Sequence, residues 1–418
     1  MTSAAKNPLA TEGQRLTEDR ALALIIRPEM LRARAIVTLL WQNVAGWAEA
    51  DQADRFANMI DEYLFHHAFR AANGDANFPE VARFMVPQHH WFGRQVPGSR
   101  WAGDSPDFIY RTIPIAHGGH FEVRAAPTAA RPHSVNWSLM ADNTAAPVTL
   151  ALLDSLDMDI AADGSFTLTI DPGPADGRAN HIQTRPGADF VMIRDALGDW
   201  LGEGPNRLSV VRLDPVDPAR SEDEMARHAA KIAIDGVYYT YYCTRSANGQ
   251  PPNVVRPPQS SAAFGGMATQ WGTKANLVLE DDEALIVRSN AAGATFRNVT
   301  LTDAFHMTID YATRTSSLNM AQMAADADGN FTFVVAHHDP KLHNWLDTGG
   351  LRRTIFGERW QAFARGSAQE DPWLETKLIK FASLDGELGK GVRRVTSDER
   401  SAQIAARSTG YARRFAED

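Results

Sequence analysis

The first 75 residues carry the hydrophobic spacing of α-helices. In DQADRFANMIDEYLFHHAFRAANGD, apolar residues recur at intervals of three and four, which is typical of a helix that buries one face. Asn73 and Gly74 end this pattern, because both residue types favour a helix C-terminus. The preceding RPEMLRARAIVTLLWQNVAGWAEA has its own apolar stripe and places Pro28 near a helix start. We therefore predict a helical hairpin.

From about residue 100 the pattern changes to short strand-like runs bounded by Gly, Pro, Asn and Asp. FTLTI (166–170) and FTFVV (331–335) are typical of β-strands. Each run follows an Asp-Gly pair: Asp163-Gly164 and Asp328-Gly329. Because Asp-Gly favours a hairpin turn, the pattern predicts LDMDI (156–160) as the partner strand of the first run.

Both runs belong to a longer internal repeat. ADGSFTLTID at 162–171 recurs as ADGNFTFVVA at 327–336, an offset of 165. The further matches at offsets of 164 or 165 are FEVRA (121–125) with LIVRS (285–289), Asn180 with Asn344, and Arg194 with Arg359. Such a nearly constant offset indicates a duplicated β domain.

The repeat and its flanks predict an α+β chain that is mainly β. Short, evenly spaced strands indicate two duplicated β-sandwich or jelly-roll-like domains, with an N-terminal helical hairpin and a C-terminal helix. The predicted boundaries are an N-terminal helical segment 1–100, a first β domain 101–219, a connector 220–249, a second β domain 250–365 and a helical tail 366–418. In the connector, we predict a helix followed by the strand VYYTYYCTR (237–245).

Composition narrows the function classes. The net charge is −9, with acids and bases mixed and no basic stripe, which argues against nucleic-acid binding. No apolar run reaches the length of a membrane span, and the N-terminal residues lack the apolar centre of a secretory signal. Cys243 is the only cysteine, as suits a reducing compartment, and its aromatic neighbours favour a packed thiol over a nucleophile. We expect a cytoplasmic protein without nucleic-acid or membrane partners.

The end of the second repeat resembles the family called domain of unknown function twelve-fourteen. Members of that family close with D-G, a β run, N-W-L, a Gly-containing turn and R-Y or R-W. The matching residues here are Asp328-Gly329, Asn344-Trp345-Leu346, Gly349-Gly350 and Arg359-Trp360. DFIYRTIPI, with Asp107 and Tyr110, resembles the opening of the family. The first repeat departs from it, with Asn180-His181-Ile182 in place of N-W-L.

This resemblance covers about half of the chain and is most specific at residues 326–360. It implies jelly-roll-like β domains with added helices, and it brings no agreed reaction.

Clustered histidines are the most informative polar groups, because a neutral imidazole transfers protons near pH 7 or binds a metal. The clusters are His66-His67, His89-His90, His117 with His120, and His337-His338. His67 continues the buried face of its helix, where a core histidine bonded to a carbonyl is the alternative interpretation. PQHHWFGRQVPGSRW (87–101) is rich in groups that line pockets, although the same residues suit a buried aromatic plug.

From these features we expect a cofactor-independent enzyme of the lyase type. It would use general acid–base chemistry on a small aromatic, phenolic substrate in a catabolic pathway. The predicted catalytic residues are His89, His90, Tyr110 and Tyr241, and the predicted substrate-binding residues are Trp91, Arg94, Trp101, Arg111 and His67. Tyr110 and Arg111 follow from the resemblance, and on a strand Tyr239 and Tyr241 share one face. We also expect a homodimer, although no motif in the sequence indicates one.

Two alternatives stay open. The first is a metal-dependent hydrolase or oxygenase with donors at His117, His120 and Glu122, or at His337, His338 and Asp339, although a spacing of three with two glycines implies a turn. The second is a carbohydrate-binding jelly roll that presents Trp91, Trp101, Trp137 and Trp271.

Overall fold

A computed structural model describes residues 7–45, 52–128, 131–141, 147–261, 269–363, 370–389 and 391–417. Its helices are α1 (Glu12–Ile25), α2 (Pro28–Ala45), α3 (Ala53–Ala72), α4 (Glu222–Asp235), α5 (Val237–Asn248), α6 (Leu384–Glu387) and α7 (Ser397–Ala412). Within these residues, no helix combines the length and the hydrophobicity that a membrane crossing requires.

The strands of the first half are β1 (Ala82–Phe84), β2 (His89–Trp91), β3 (Arg94–Val96), β4 (Phe108–Pro114), β5 (Phe121–Ala126), β6 (Ser134–Ala141), β7 (Val148–Asp154), β8 (Phe166–Asp171), β9 (His181–Gln183), β10 (Ala188–Ala196) and β11 (Arg207–Arg212). Those of the second half are β12 (Gln259–Ser260), β13 (Trp271–Val278), β14 (Glu283–Ser289), β15 (Ala294–Thr302), β16 (Ser317–Asn319), β17 (Phe331–Ala336), β18 (Trp345–Asp347), β19 (Arg353–Phe363) and β20 (Leu374–Lys380).

The two halves share one sheet topology. In the first half, a five-stranded sheet β1-β4-β10-β6-β7 faces a four-stranded sheet β11-β5-β8-β9 across an apolar core. The second half repeats this order strand for strand, as β12-β13-β19-β15-β16 and β20-β14-β17-β18. Both halves even contain the same parallel pair, β8 with β9 and β17 with β18. The predicted α+β fold with duplicated β domains is confirmed.

Gly164 and Gly329 occupy the same place in this topology. They precede β8 and β17 with φ of +93° and +84°, a region that favours glycine. The Asp-Gly turns form, but the predicted hairpin is wrong. The 156–160 segment is not a strand: a 3₁₀ turn at Ser155–Asp157 follows β7, and the chain then crosses from the five-stranded sheet to the four-stranded one.

The start of α2 and the end of α3 lie where the sequence predicted them. Pro28 is the first residue of α2, and α3 ends at Ala72, where the Asn73 amide bonds to the Phe69 carbonyl at 3.0 Å. The structure adds α1, which is capped by Thr11. The helical segment also contains β1, which completes the first five-stranded sheet. At the other end, the tail begins with β20, which pairs with β14, and α7 is the expected C-terminal helix.

The tyrosine-rich run forms helix α5, so the predicted strand at 237–245 is wrong. A helix cannot place Tyr239 and Tyr241 on one face, because residues three and four apart share a face. Buried Thr240 and Thr244 support the helix by donating hydroxyl bonds to carbonyls four residues earlier, at 3.1 and 2.9 Å. Packing against α2 and β13 therefore outweighs the β propensity of Val and Tyr.

The outer faces of the two five-stranded sheets meet in a core that they share with the N-terminal helices. Phe108 of β4 and Phe296 of β15 lie with ring centroids 5.5 Å apart. Asn298 of β15 donates to the Asp107 carboxylate at 2.9 Å and to the Ser105 hydroxyl at 2.7 Å. This interface positions the candidate site.

Candidate functional site

The outer face of the second five-stranded sheet contains a hollow at Gly357. Directly paired residues project to the same face of a sheet, and Gly357 pairs with Lys274 on one side and Thr300 on the other. A Cβ atom built on Gly357 would contact only the carbonyl oxygens of Thr273 and Thr300, each at 3.9 Å. The hollow therefore lies between the Lys274 and Thr300 side chains.

The first β domain has no such hollow. At the equivalent positions, Met192 of β10 pairs with Thr112 and Ser138. Met192 is buried in the shared core, so its side chain fills the space that Gly357 leaves open. The two domains differ in the same way two residues further along the strand. Arg194 of the first domain pairs with Tyr110, whereas Arg359 of the second domain pairs with Gly272. A strand glycine often marks a place where a ligand approaches the backbone.

The hollow is the floor of a cavity of about 430 Å³, which we call the Lys274 cavity. Its walls come from β13, β15, β19, helix α5 and the loops at 103–104 and 256–261. Tyr242 and Ser246 of α5 and Gln250, which follows the end of that helix, line one side. This volume is within the usual range of sites for small molecules.

Lys274 extends into this cavity without an ionic partner. In the described part of the chain, it makes no hydrogen bond or salt bridge. The Lys274 side chain lines the cavity and is exposed to the solvent that fills it. Burial, with repulsion by Arg359, lowers the pKa of the Lys274 amine to about 8, whereas the nearby Cys243 opposes the shift. A neutral amine is therefore accessible near physiological pH.

Arg359 supplies a second cation to the Lys274 cavity. It donates to the carbonyl of Gly103 at 3.1 Å, and among the described residues no carboxylate forms an ion pair with it. Arg256 also lines the cavity. The Glu358 carboxylate is bound to Arg297 at 2.8 Å, so it does not neutralise these charges. The cavity is consequently suited to an anion.

His306 lies against the same cavity in a strained conformation. Its φ is +65°, which is unusual for a residue other than glycine, and its ring is buried. Its Nδ1 atom has no hydrogen-bond partner among the described residues. Burial, followed by the charges of Lys274 and Arg359, lowers the pKa of His306 well below 6.5, so the imidazole is neutral at pH 7.

Asp104 is the acidic group of the cavity wall. Its carboxylate accepts hydrogen bonds from the Thr308 hydroxyl at 2.6 Å and the Thr308 amide at 3.2 Å. Burial raises the pKa of Asp104 to about 6, although Arg100 and these bonds oppose the shift. Asp104 and Lys274 thus both have pKa values near neutral pH, which suits general acid–base chemistry.

The predicted catalytic histidines lie elsewhere. The His89 Nδ1 atom lies 2.8 Å from the Pro87 carbonyl oxygen, and its ring packs on Phe415 with centroids 4.7 Å apart. Trp91 is buried against the same C-terminal phenylalanine, whereas His90 is exposed. This cluster matches the aromatic plug that was the alternative interpretation of the 87–101 loop.

Arg94 and Arg111 are already paired. Arg94 binds Asp19 at 3.0 Å near α1. Arg111 is buried inside the first sandwich, where it binds both oxygens of Asp195 at 2.6 and 2.9 Å and the Asn206 carbonyl at 2.8 Å. Neither guanidinium points into the Lys274 cavity.

Three other predicted residues lie between the helices and the first β domain. Trp101 donates to the Thr240 hydroxyl at 2.9 Å, and the His67 Nδ1 atom lies 2.8 Å from the Tyr63 carbonyl oxygen. Burial lowers the pKa of His67 to about 3, which suits a core histidine. Tyr241 packs against a tryptophan of α2, on a different face of α5 from the cavity.

Tyr110 is the predicted residue nearest to the new site. It lies on the outer face of β4 beside Arg194, and its buried hydroxyl accepts a bond from the Ser105 amide at 3.2 Å. Burial raises the pKa of Tyr110, whereas the charges of Arg359 and Arg194 lower it. The structure therefore does not bring the predicted catalytic residues together.

The donors of the metal alternatives are also separated. In the described residues, no group of three or more His, Cys, Asp and Glu side chains is arranged to hold a metal ion. Their observed partners are Thr184 for His117, Asp214 for His120, Arg124 for Glu122, Thr348 for His337, Phe381 for His338 and Arg400 for Asp339. The turn predicted between His117 and His120 is present, at residues 117–118.

The tryptophans of the carbohydrate alternative do not form a shared surface. Trp91 and Trp137 are buried, and Trp101 and Trp271 are partly buried in different parts of the fold. A larger cavity, of about 930 Å³, does lie where the helices, the 87–101 loop and the second β domain meet. Its three arginines are paired, Arg34 with Asp61, Arg55 with Asp303 and Arg100 with Glu62, so the described residues give it no unpaired cation like those of the Lys274 cavity.

Residues 284–356 match the family described as Protein of unknown function (DUF1214). The predicted resemblance is confirmed over these residues. They include the Asp328-Gly329, Asn344-Trp345-Leu346 and Gly349-Gly350 elements, and they end before Arg359. The DUF1214 match thus covers β14 to the middle of β19 and leaves Asp107, Tyr110 and Lys274 outside.

No curated protein matches the chain. The crystal structure of an uncharacterized protein from Burkholderia cenocepacia is similar, with a TM-score of 0.71 and 21% identity over 87% of this chain and 100% of that chain. The VPA0106 protein from Vibrio parahaemolyticus aligns with a TM-score of 0.38 and 12% identity, over 77% of this chain and 98% of that chain. The first likeness shows a shared fold.

Proposed function

We propose that this protein is a cofactor-independent enzyme of the lyase type, and that it acts on a small anionic substrate in the Lys274 cavity. The substrate class we favour is phenolic, because a phenolate combines a negative oxygen with an apolar ring. A cytoplasmic location and a homodimer remain parts of this proposal.

The observation that carries the proposal is the amine of Lys274, which lies beside Arg359 in the Lys274 cavity and has no hydrogen-bond or ionic partner among the described residues. With the Lys274 pKa at about 8, roughly a tenth of the molecules carry the neutral amine at pH 7. A base with a pKa near the working pH abstracts protons efficiently. Arg359 would hold the anionic oxygen, and Asp104 would return a proton to the leaving group.

The first experiment incubates the purified protein with a panel of phenolic compounds and follows their conversion by mass spectrometry. We expect conversion of at least one compound, and loss of about 100-fold or more of the rate in Lys274→Met, as for removal of a general base. Lys231→Met is the matched control, because Lys231 is exposed and pairs only with Asp235. Unchanged turnover in Lys274→Met, or no conversion across the panel, would contradict the proposal.

A further inference from the structure

We propose that Lys274 acts covalently, by forming an imine with the carbonyl carbon of a small 2-oxo acid whose carboxylate binds Arg359. This inference rests on the proposed function and specifies its small anionic substrate as a 2-oxo acid, a class that includes acids with a phenolic ring.

The space beside Lys274 suits a tetrahedral intermediate. Covalent attack on a carbonyl places a four-substituted carbon next to the amine, which needs room on the sheet surface. Gly357 is directly opposite Lys274, and Gly272 is two residues before it on the same face. Neither glycine presents a side chain, so the sheet leaves a flat floor on two sides of the amine.

The spacing of Lys274 and Arg359 suits a carbonyl that is bonded to a carboxylate. Gly272 pairs with Arg359, so Lys274 and Arg359 are diagonal neighbours on one face. Diagonal neighbours lie about 7–8 Å apart at the backbone, within reach of long side chains. Both side chains can therefore meet at one small group, and in a 2-oxo acid the carboxylate is attached to the carbon that the amine attacks.

The proposed step balances without an oxidant or a reductant. The neutral Lys274 nitrogen forms a bond to the carbonyl carbon as the C=O π bond breaks, and a proton passes from the nitrogen to the carbonyl oxygen to give a neutral carbinolamine. Protonation of its hydroxyl then releases water, while the nitrogen electron pair forms the C=N bond. The resulting iminium accepts the electron pair of the bond between the next carbon and the departing fragment, which loses a hydroxyl proton and leaves as a carbonyl compound. The enamine that remains takes a proton at that carbon, and water then releases Lys274 and the oxo product.

The surrounding groups supply what this step needs. Asp104 lines the same cavity, and its pKa of about 6 lets it give and take protons near neutrality. A desolvated lysine beside another cation is the arrangement that favours a neutral, nucleophilic amine. Lys274 is exposed to cavity solvent, but it lies beside Arg359, whose positive charge repels its proton.

Reductive trapping tests the inference. Full-length protein is incubated with phenylpyruvate and sodium cyanoborohydride, and labelled peptides are identified by mass spectrometry. We expect the reduced adduct at Lys274, in at least about tenfold excess over the exposed Lys231. Lys274→Arg keeps the positive charge but cannot form the adduct, so label at this position should disappear. Arg359→Gln should reduce trapping of phenylpyruvate more strongly than trapping of phenylacetaldehyde, which lacks the carboxylate and is affected only through the pKa of Lys274.

The imine hypothesis would be overturned if the reduced adduct were spread evenly over surface lysines, or if neither probe labelled Lys274. The two experiments distinguish an error in the imine hypothesis from an error in the proposed function. If the phenolic panel is turned over in a Lys274-dependent way but nothing is trapped, Lys274 is a base only. If turnover and trapping are both absent, both proposals fail.

Discussion

Met192 and Gly357 occupy the same position in the two β domains, at the centre of the outer face of each five-stranded sheet. The methionine is buried and fills its site, whereas the glycine opens a hollow beside Lys274. A duplicated domain has thus kept its topology and lost one side chain where the Lys274 cavity lies. This difference between the copies is the structural basis of the proposed site.

The variant Gly357→Met restores the residue of the first domain and should close the Lys274 cavity. We expect the modification of Lys274 by trinitrobenzenesulfonate to slow about tenfold, because the methionine occupies the approach to the amine. The unfolding free energy should change by less than about 1 kcal/mol, since methionine suits an extended strand. Gly118→Met is the control, because a Cβ there contacts nothing within 4 Å. Unaltered Lys274 modification would show that the hollow does not control access.

Arg359→Gln should raise the pKa of Lys274, because it removes a neighbouring positive charge that favours the neutral amine. The pH dependence of Lys274 labelling, read by peptide mass spectrometry, measures this pKa. Arg194→Gln is the matched control, since Arg194 is the equivalent arginine of the first domain and does not contribute to the Lys274 shift. Equal shifts in both variants would refute a local interaction between Arg359 and Lys274.

Lys274 should make stability depend on pH. Its folded-state pKa of about 8 lies below the ordinary lysine value of 10.5, so the unfolded chain binds more protons between these values. The free energy of unfolding, relative to Lys274→Met, should therefore rise as the pH increases from about 8 to 10.5. Because the side chain keeps contact with solvent, we expect a change of only about 1 kcal/mol.

Urea unfolding of both proteins at several pH values measures this effect. A flat difference between wild type and Lys274→Met across that window would contradict a lowered pKa.

Arg111 should be essential for stability, whether or not it has a role in substrate binding. Arg111→Met leaves the buried Asp195 carboxylate without its partner, which typically costs about 3–5 kcal/mol. Arg352→Met, at an exposed pair with Glu280, should cost less than about 1 kcal/mol. Chemical denaturation compares the two variants. Full stability of Arg111→Met, together with weakened substrate binding, would favour the substrate-binding role predicted from the sequence.

The duplicated turns should respond alike to substitution. Gly164 and Gly329 both have positive φ, so alanine at either position should cost about 1 kcal/mol or slightly more. Gly164→Ala should cost the more of the two, because its Cβ would come within 2.8 Å of the Arg131 side chain, whereas Gly329 has open space. Gly386→Ala serves as a control without positive φ. Opposite signs in thermal unfolding would argue against equivalent turns.

The duplication was predictable from the sequence because its signals are local. Asp-Gly turns, strand runs and the matched Asn180 and Asn344 keep their spacing, and both asparagines make the same bonds to the loop before their turn. Helix α5 was not predictable in this way. Its tyrosines favour strands, and the helix depends on packing that no short window of sequence contains.

The candidate site was harder to predict for a similar reason. Lys274 has no motif around it, and its environment comes from the cross-strand neighbours Gly357 and Thr300 and from the Asp104 loop. Arg359 did align with Arg194 in the repeat, but the sequence could not show that glycines replace Tyr110 and Met192 beside it. Only an alignment of the two copies strand by strand shows these two replacements.

The most direct test of the proposed site is the titration of Lys274 in the wild-type protein. Competitive labelling across pH, with the exposed Lys231 as internal reference, gives the midpoint for each amine. Our account predicts a midpoint for Lys274 at a pH of about 8. A midpoint at the ordinary lysine value of 10.5 would contradict it, because Lys274 would then carry a proton whenever substrate arrives.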